Sequence, residues 1–246
     1  MTNNEIISVD QVSMRFNLAE EKTDTFKEYF LKMIKGKLHF TEFYALRDIS
    51  LYVKRGQSVA LIGTNGSGKS TLLKLIAGVL NPSSGNIKVS GTIAPLIELG
   101  AGFDYDLTAR ENVYLNGAVL GHNRDYMDEH FKDIMDFAEL WEFADVPLKN
   151  FSSGMIARLG FAIATEVRAD ILVVDEILAV GDYLFQQKCK ERMRELLEGG
   201  TTLLFVSHSE EQVRELCSHT AWINHGHLEF YGETNEAFAR YHEMYG

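Results

Sequence analysis

An α/β fold with a mainly parallel sheet flanked by helices is what this sequence predicts, on three observations. Strand-like and helix-like patterns alternate from Val59 to the carboxyl end. The glycine-rich run Gly63 to Ser70 joins an apolar strand directly to a helix. Strand signals vanish between Leu107 and Leu148, which marks a helical insert. The chain has 246 residues, 46% of them hydrophobic, enough for a packed core. The expected organisation is a single domain over 1–246 with an insert at 17–41 and a helical subdomain at about 104–150.

Taken in order, Ile6 to Phe16 and Ala45 to Val53 alternate as strands do. From Asn17 to Thr41 the alternation gives way to Phe26, Tyr29, Phe30 and Met33 at i, i+3, i+4 and i+7, with Lys27, Lys32 and Lys35 beside them. That spacing predicts a short amphipathic helix, either packed on its own domain or offering a face to a partner or a membrane surface. Ser58 to Ile62 reads as a buried strand and Thr71 to Ala77 as a helix. Ala109 to Leu120 and Tyr126 to Leu140 have helical spacing and are separated by Gly121-His122-Asn123. Phe151-Ser152-Ser153-Gly154-Met155 opens another helix, with Leu159, Ala162 and Ile163 on its apolar face and Ser152 suited to the cap. Two further apolar runs, Ile171 to Val174 and Leu203 to Ser207, end in Asp175-Glu176 and in His208.

Between strand and helix, Gly63-Thr64-Asn65-Gly66-Ser67-Gly68-Lys69-Ser70 is a phosphate-binding loop. Its glycines let the backbone turn amides inward, the helix start carries partial positive charge, and Lys69 adds a full charge where β and γ phosphates lie. Ser70 offers a hydroxyl to magnesium. Gly63, Thr64, Asn65, Gly66, Ser67, Gly68, Lys69, Ser70 and Thr71 are therefore the expected contacts to a nucleoside triphosphate. A strand ending in two acids downstream of such a loop is where a magnesium ligand and a water-aligning carboxylate belong. Asp175 takes the first role and Glu176 the second. His208 falls where ligand crevices form in open α/β sheets, within reach of a γ-phosphate.

The formal charge of −11 disfavours a general nucleic-acid surface, so nucleic acid is not an expected partner. No apolar run approaches the ~20 residues that cross a bilayer, and Met1-Thr2-Asn3-Asn4-Glu5 lacks a signal-sequence pattern, so a cytosolic chain is expected. Cys189 and Cys217 lie in helix-like patterns without metal-ligand spacing and read as reduced, packed thiols. His225-Gly226-His227, between two strand-like stretches, reads as a hairpin turn rather than a metal site. The charges from Lys188 to Glu198 read as a solvated helix face with i to i+4 pairs.

The ordered set of phosphate-binding loop, helical insert, Ser-Ser-Gly helix start, Val-Asp-Glu strand and strand-end His resembles the nucleotide-binding subunit of ATP-binding cassette transporters across nearly the whole chain. The family signature, usually LSGGQ, appears as Phe151-Ser152-Ser153-Gly154-Met155, departing at three of its five positions. Ser152 to Met155, together with Asp175-Glu176-Ile177-Leu178-Ala179-Val180-Gly181-Asp182, is similar to the branch that exports polysaccharides, O-antigens and teichoic acids. Leu96 to Phe103 and the insert before Tyr44-Ala45-Leu46-Arg47-Asp48 fit the same branch.

This resemblance implies a P-loop NTPase core in which an antiparallel β part accompanies the mainly parallel sheet, with ATP and Mg2+ as cofactors and ATP hydrolysis as the activity. It implies two copies arranged head to tail, each loop completed by the other copy's Ser152, Ser153 and Gly154. Asp182 would belong to the loop connecting the two sites, and His208 to the switch that contacts the γ-phosphate. The Gln that usually joins the magnesium site to the helical insert is not evident. Spacing back from Leu107-Thr108 points to Glu98 or Leu99, and Glu98 is preferred because only it can coordinate a cation or accept a hydrogen bond. The aromatic that stacks on adenine falls among Phe40, Phe43 and Tyr44.

The 17–41 insert resembles an interfacial helix beside a membrane subunit. Implied partners are integral membrane permeases, with a glycan or lipid-linked glycan as indirect cargo, and the implied location is the cytoplasmic face of the cell membrane. The alternatives are the cassette ATPase of a lipid or drug exporter, or a non-transport cassette ATPase, which usually carries long coiled coils or two cassettes per chain. A P-loop kinase would leave the Ser152 helix start and Glu176 without a role.

Overall fold

The computed structural model describes residues 4–19, 40–96, 100, 102–167, 169–175 and 181–245. Strands β1 (Glu5–Ala19), β2 (Phe40–Lys54) and β4 (Ser84–Val89) form an antiparallel sheet in the order β2-β1-β4. β1 and β2 outrun their alternation pattern, because the ladder continues through Asn17–Glu42, Leu18–Thr41 and Ala19–Phe40. Both ends of the insert predicted at 17–41 are therefore strand. Backbone pairing satisfies each N–H and C=O whether or not the side chains still alternate. The remainder of that insert, with Phe26, Tyr29, Phe30 and Met33, lies outside the described residues.

The second sheet has the order β5-β6-β7-β3-β8-β9, built from β3 (Ser58–Ile62), β5 (Ile93–Leu96), β6 (Ile171–Asp175), β7 (Thr202–Val206), β8 (His219–Asn224) and β9 (His227–Glu233). Neighbours from β5 to β8 are parallel, and β8 and β9 close an antiparallel hairpin. His225 and Gly226 form its turn with φ of 45° and 80°, as read from the sequence. The sheet is buried on both faces, which is why its strands read as continuous apolar runs. Val59, Leu61, Val173, Leu204 and Val206 share one core with Ile7, Val9, Ile49 and Leu51 of the antiparallel sheet. The alternate residues Ala60, Ile62, Val174, Leu203 and Phe205 belong to a second core.

Helix α1 (Lys69–Ile76) sends Leu72, Leu73, Leu75 and Ile76 into the first core. α2 (Ala109–Val119) and α3 (Arg124–Ala138) build the helical subdomain, separated by Gly121-His122-Asn123 as the sequence predicts. Thr108 and Glu111 cap α2 reciprocally, and Asn123 caps α3 by accepting from the Tyr126 amide. α4 (Ser153–Glu166) belongs to two cores at once. Leu159 and Ile163 pack with Val113, Ile134 and Met135 of the subdomain, while Phe161 packs in the second core with Phe185 and Cys189. α5 (Tyr183–Glu198), α6 (Glu210–Leu216) and α7 (Thr234–Tyr245) complete that second core through Met193, Val213 and Phe238.

Cys189 and Cys217 are free and buried, as read from the sequence. Burial disfavours their thiolates, pushing Cys189 up to about 12 and Cys217 up as well. The charges of α5 keep a solvated face, with Glu191, Arg194, Glu195 and Glu198 exposed, but their pairing differs from the expected i to i+4 pattern. Lys188 reaches Glu139, Arg192 reaches Glu166 and Arg194 reaches Glu215, all on other elements, and the pairs within the helix are Glu191–Arg194 and Arg192–Glu195 at i, i+3. Among the described residues, no helix is long and apolar enough to cross a membrane.

Candidate active site

Parallel pairing levels the ends of three strands. Asp175 pairs with Val206 and Val206 with Leu61, so the ends of β6 and β7 stand beside the loop that leaves β3. A cavity of about 510 Å³ opens there, in the size range of ligand pockets. It is lined by Phe16, Phe43 and Ala45 from the antiparallel sheet, by Asn65 to Thr71, and by Asp175, Val206 and His208.

The loop fits its neighbours only because two positions lack side chains. Gly63 has φ 144°, and a Cβ there would lie 2.0 Å from the Ile223 carbonyl oxygen. Gly68 has φ 111°, and a Cβ there would lie 2.6 Å from the Ala45 carbonyl oxygen. The β8–β9 turn fastens the loop to β2: the Gly226 amide donates to the Ser67 carbonyl at 2.9 Å, and the Arg47 amide donates to the Gly226 carbonyl at 2.8 Å. α1 starts at Lys69, ahead of the apolar pattern, which places Lys69 and Ser70 in its first turn. Gly68 is the N-cap and makes no side-chain cap bond, so first-turn amides face the cavity end of the helix without a competing side chain.

Polar atoms complete the cradle. Lys69 is buried, and its Nζ donates to the carbonyls of Gly63 at 2.8 Å and Thr64 at 3.0 Å. Ser70 Oγ, on α1, donates to Asp175 Oδ2, on β6, at 3.4 Å. Ser67 Oγ is buried with no hydrogen-bond partner among the described residues. A cradle that side chains would fill, an orphaned hydroxyl, a buried cation and a hydroxyl–carboxylate pair fit a magnesium triphosphate. Ser70 and Asp175 are the residues that would hold the ion, which when bound neutralises phosphate charge.

Asn65 to Thr71, Asp175 and His208 thus meet in one cavity, and Gly63 and Thr64 join them through Lys69. Around His208, the Ser209 amide donates to Ser207 Oγ at 3.0 Å and Ser207 Oγ donates to Gln212 Oε1 at 3.0 Å, anchoring the segment on both sides. Glu176, Glu98 and Leu99 lie outside the described residues. Ser152, Ser153, Gly154 and Asp182 do not line the cavity. Ser152 is the helix cap read from the sequence, its Oγ accepting from the Met155 amide at 3.2 Å. Asp182 caps α5 through the Phe185 amide at 3.0 Å and pairs with Arg158 at 2.5 Å. The Phe185 amide first, and then Arg158, hold its carboxyl below the usual range.

Among the aromatic candidates, Phe43 lines the cavity and is 48% exposed. Tyr44 is not a lining residue and carries the Arg47 guanidinium 4.6 Å from its ring centroid. Phe40 contributes no described side chain. Phe16, which the sequence reading did not single out, lines the cavity as the cross-strand partner of Phe43. Residues directly opposite in a ladder share a face, so strand register was the signal that could have found it. Arg158 was missed as well, being one cation beside the apolar face of α4.

Residues 46–179 match the ABC transporter family, more than half of the chain. The chain is 43% identical over 210 residues to the O-antigen export system ATP-binding protein RfbB of Klebsiella pneumoniae, covering 85% of this chain and 84% of that one. It is 39% identical over 238 residues to the teichoic acids export ATP-binding protein TagH of Bacillus anthracis, covering 97% of this chain and 42% of that one. The fold is shared with the ATP-binding cassette MJ0796, solved as a dimer in a post-hydrolysis state bound to ADP and Pi, with a TM-score of 0.73, 21% identity, and coverage of 93% and 98% of the two chains. The family match runs through the same lysine loop and Asp175 that the cavity brings together, and the chain belongs to the ABC transporter family as a magnesium-dependent ATPase.

Proposed function

We propose that this chain is the ATP-hydrolysing motor of an exporter of polysaccharide or teichoic-acid-type glycans, acting on separate integral membrane subunits from the cytoplasmic face of the membrane. The observation that carries the reading is its similarity, over 85% and 97% of its length, to ATP-binding proteins of O-antigen and teichoic acid export. Deleting the gene should remove the surface glycan, and the chain should co-purify with an integral membrane protein. An intact glycan coat after deletion overturns this reading in favour of another cargo.

The motor works as two copies arranged head to tail. Ser152 and Ser153 are exposed at the start of α4, away from the cavity of their own chain, and in the pair they complete the other copy's triphosphate site. Two helix starts and a lysine at each nucleotide offset a polyanion that a chain of charge −11 would otherwise repel. Glu176 aligns water for attack on the γ-phosphorus as the bond to the β–γ bridging oxygen breaks, giving ADP and phosphate. Ser70 and Asp175 hold the ion, and His208 contacts the γ-phosphate. Loss of the bridging phosphate lets the halves part, and the motion passes to the membrane subunits.

Ser152→Arg tests the pairing. An exposed cap can be replaced for about 1 kcal/mol of stability, so the variant folds, but a bulky cation at the helix start keeps the second copy away. In light scattering with Mg-ATP, the hydrolysis-deficient parent should double in mass while the Arg variant stays single. Equal doubling by both overturns the head-to-tail arrangement.

A further inference from the structure

We propose that Arg158 is a positioning residue: it ties Asp182 to the helix headed by Ser152, so that the two segments offered to a second copy move as one body. This rests on the two-copy reading above. Arg158 lies in α4, six residues or ~9 Å along the axis from Ser152. Its side chain is only 19% exposed. Nη2 donates to Asp182 Oδ2 at 2.5 Å and Nη1 donates to Glu139 Oε2 at 3.1 Å. The guanidinium also sits 4.6 Å from the centroid of the Phe185 ring. Gly181, with φ 74°, brings the backbone so close that a Cβ there would be 3.3 Å from Arg158 Nε and 3.1 Å from Phe185.

The guanidinium therefore joins three elements. Glu139 is the C-cap of α3 and sits at φ 60°, an uncommon backbone for a residue other than glycine. Lys188 of α5 donates to Glu139 Oε1 at 2.8 Å and to the Phe137 carbonyl at 3.2 Å, closing a ring of charge from α3 through α4 to α5. Lys188 above all holds the Glu139 carboxyl below its usual range, and the Phe185 amide does the same for Asp182, so both acids stay ionised at neutral pH. A planar fork carries its donors in a fixed geometry, so it holds two carboxylates on different elements in a set orientation, whereas an ammonium on a flexible stem is a point charge that imposes none.

The test compares Arg158→Met, Arg158→Lys, Asp182→Asn and the Arg158→Met/Asp182→Asn double variant. Arg158 does not line the nucleotide cavity, so Arg158→Met should bind ATP within about threefold of wild type while kcat per folded molecule falls about tenfold or more. Arg158→Lys keeps the charge and should recover part of kcat. The double variant should be no slower than the slower single variant, because both changes break one link. A role in folding alone would lower the melting temperature and the folded fraction while leaving kcat per folded molecule intact, and that result overturns the proposal. So do single losses that multiply in the double variant. A wild-type chain that stays single in Mg-ATP, with a rate per chain independent of chain concentration, overturns the two-copy reading and this proposal together. A wild type that pairs beside an indifferent Arg158→Met overturns this proposal alone.

Discussion

Lys69→Ala should weaken ATP binding about a hundredfold while leaving the chain folded. The Lys69 ammonium is buried in the wall of the cavity, where its Nζ rests on the carbonyls of Gly63 and Thr64. A phosphate oxygen is a stronger acceptor than either carbonyl, and a charge-assisted bond of this kind is worth about 1.5–3 kcal/mol. At about 1.4 kcal/mol per factor of ten, the upper part of that range corresponds to the hundredfold loss. Nothing else in the first turn of α1 replaces the charge, since Ser70 and Thr71 bring only hydroxyls to a chain already at −11. Stability should fall little, by about 1 kcal/mol, because Lys69 lines the cavity and its removal lets water reach the two released carbonyls. Calorimetric titration with Mg-ATP measures the first effect and thermal denaturation the second. Binding within about threefold of wild type would falsify the assignment of Lys69 to the phosphates.

What could be read ahead of the structure was local. The step from β3 through the loop into α1 is one uninterrupted stretch, so its strand, glycines and helix are adjacent in sequence as well as in space. Asp175 and His208 were legible because each ends an apolar run, and parallel strands bring such ends to one edge of a sheet. Non-local register was not legible. That Asp175, Val206 and Leu61 stand level depends on which residues pair across β6, β7 and β3. The same limit hid Phe16, which becomes a cavity residue only by facing Phe43 across β1 and β2. Helical periodicity sees partners at i+3 and i+4, so it assigned the charges of α5 to pairs within the helix, whereas Lys188, Arg192 and Arg194 reach Glu139, Glu166 and Glu215. Arg158 was invisible for that reason too, its two carboxylates coming from the end of α3 and the cap of α5.

Glu176→Gln should separate binding from chemistry. Asp175 is the last residue of β6 and lies at the cavity with Ser70, and Glu176 is the next residue in the chain. Glutamine matches glutamate in size and keeps one acceptor oxygen, but it lacks the negative charge and basicity that align and activate water. Removing a positioned acid or base of this kind lowers a rate by about 10² to 10⁴. Affinity for Mg-ATP should change by less than about threefold, because Lys69, the α1 amides and the Ser70–Asp175 pair are untouched. With the triphosphate bound and uncleaved, the paired state has no exit, so the variant should accumulate as a dimer in Mg-ATP and dissociate when nucleotide is removed. Single-turnover hydrolysis and light scattering read the two effects on one sample. Turnover within about tenfold of wild type would place the water-aligning carboxylate elsewhere, whereas lost turnover without a trapped dimer would keep Glu176 in the chemistry and reject the two-copy site.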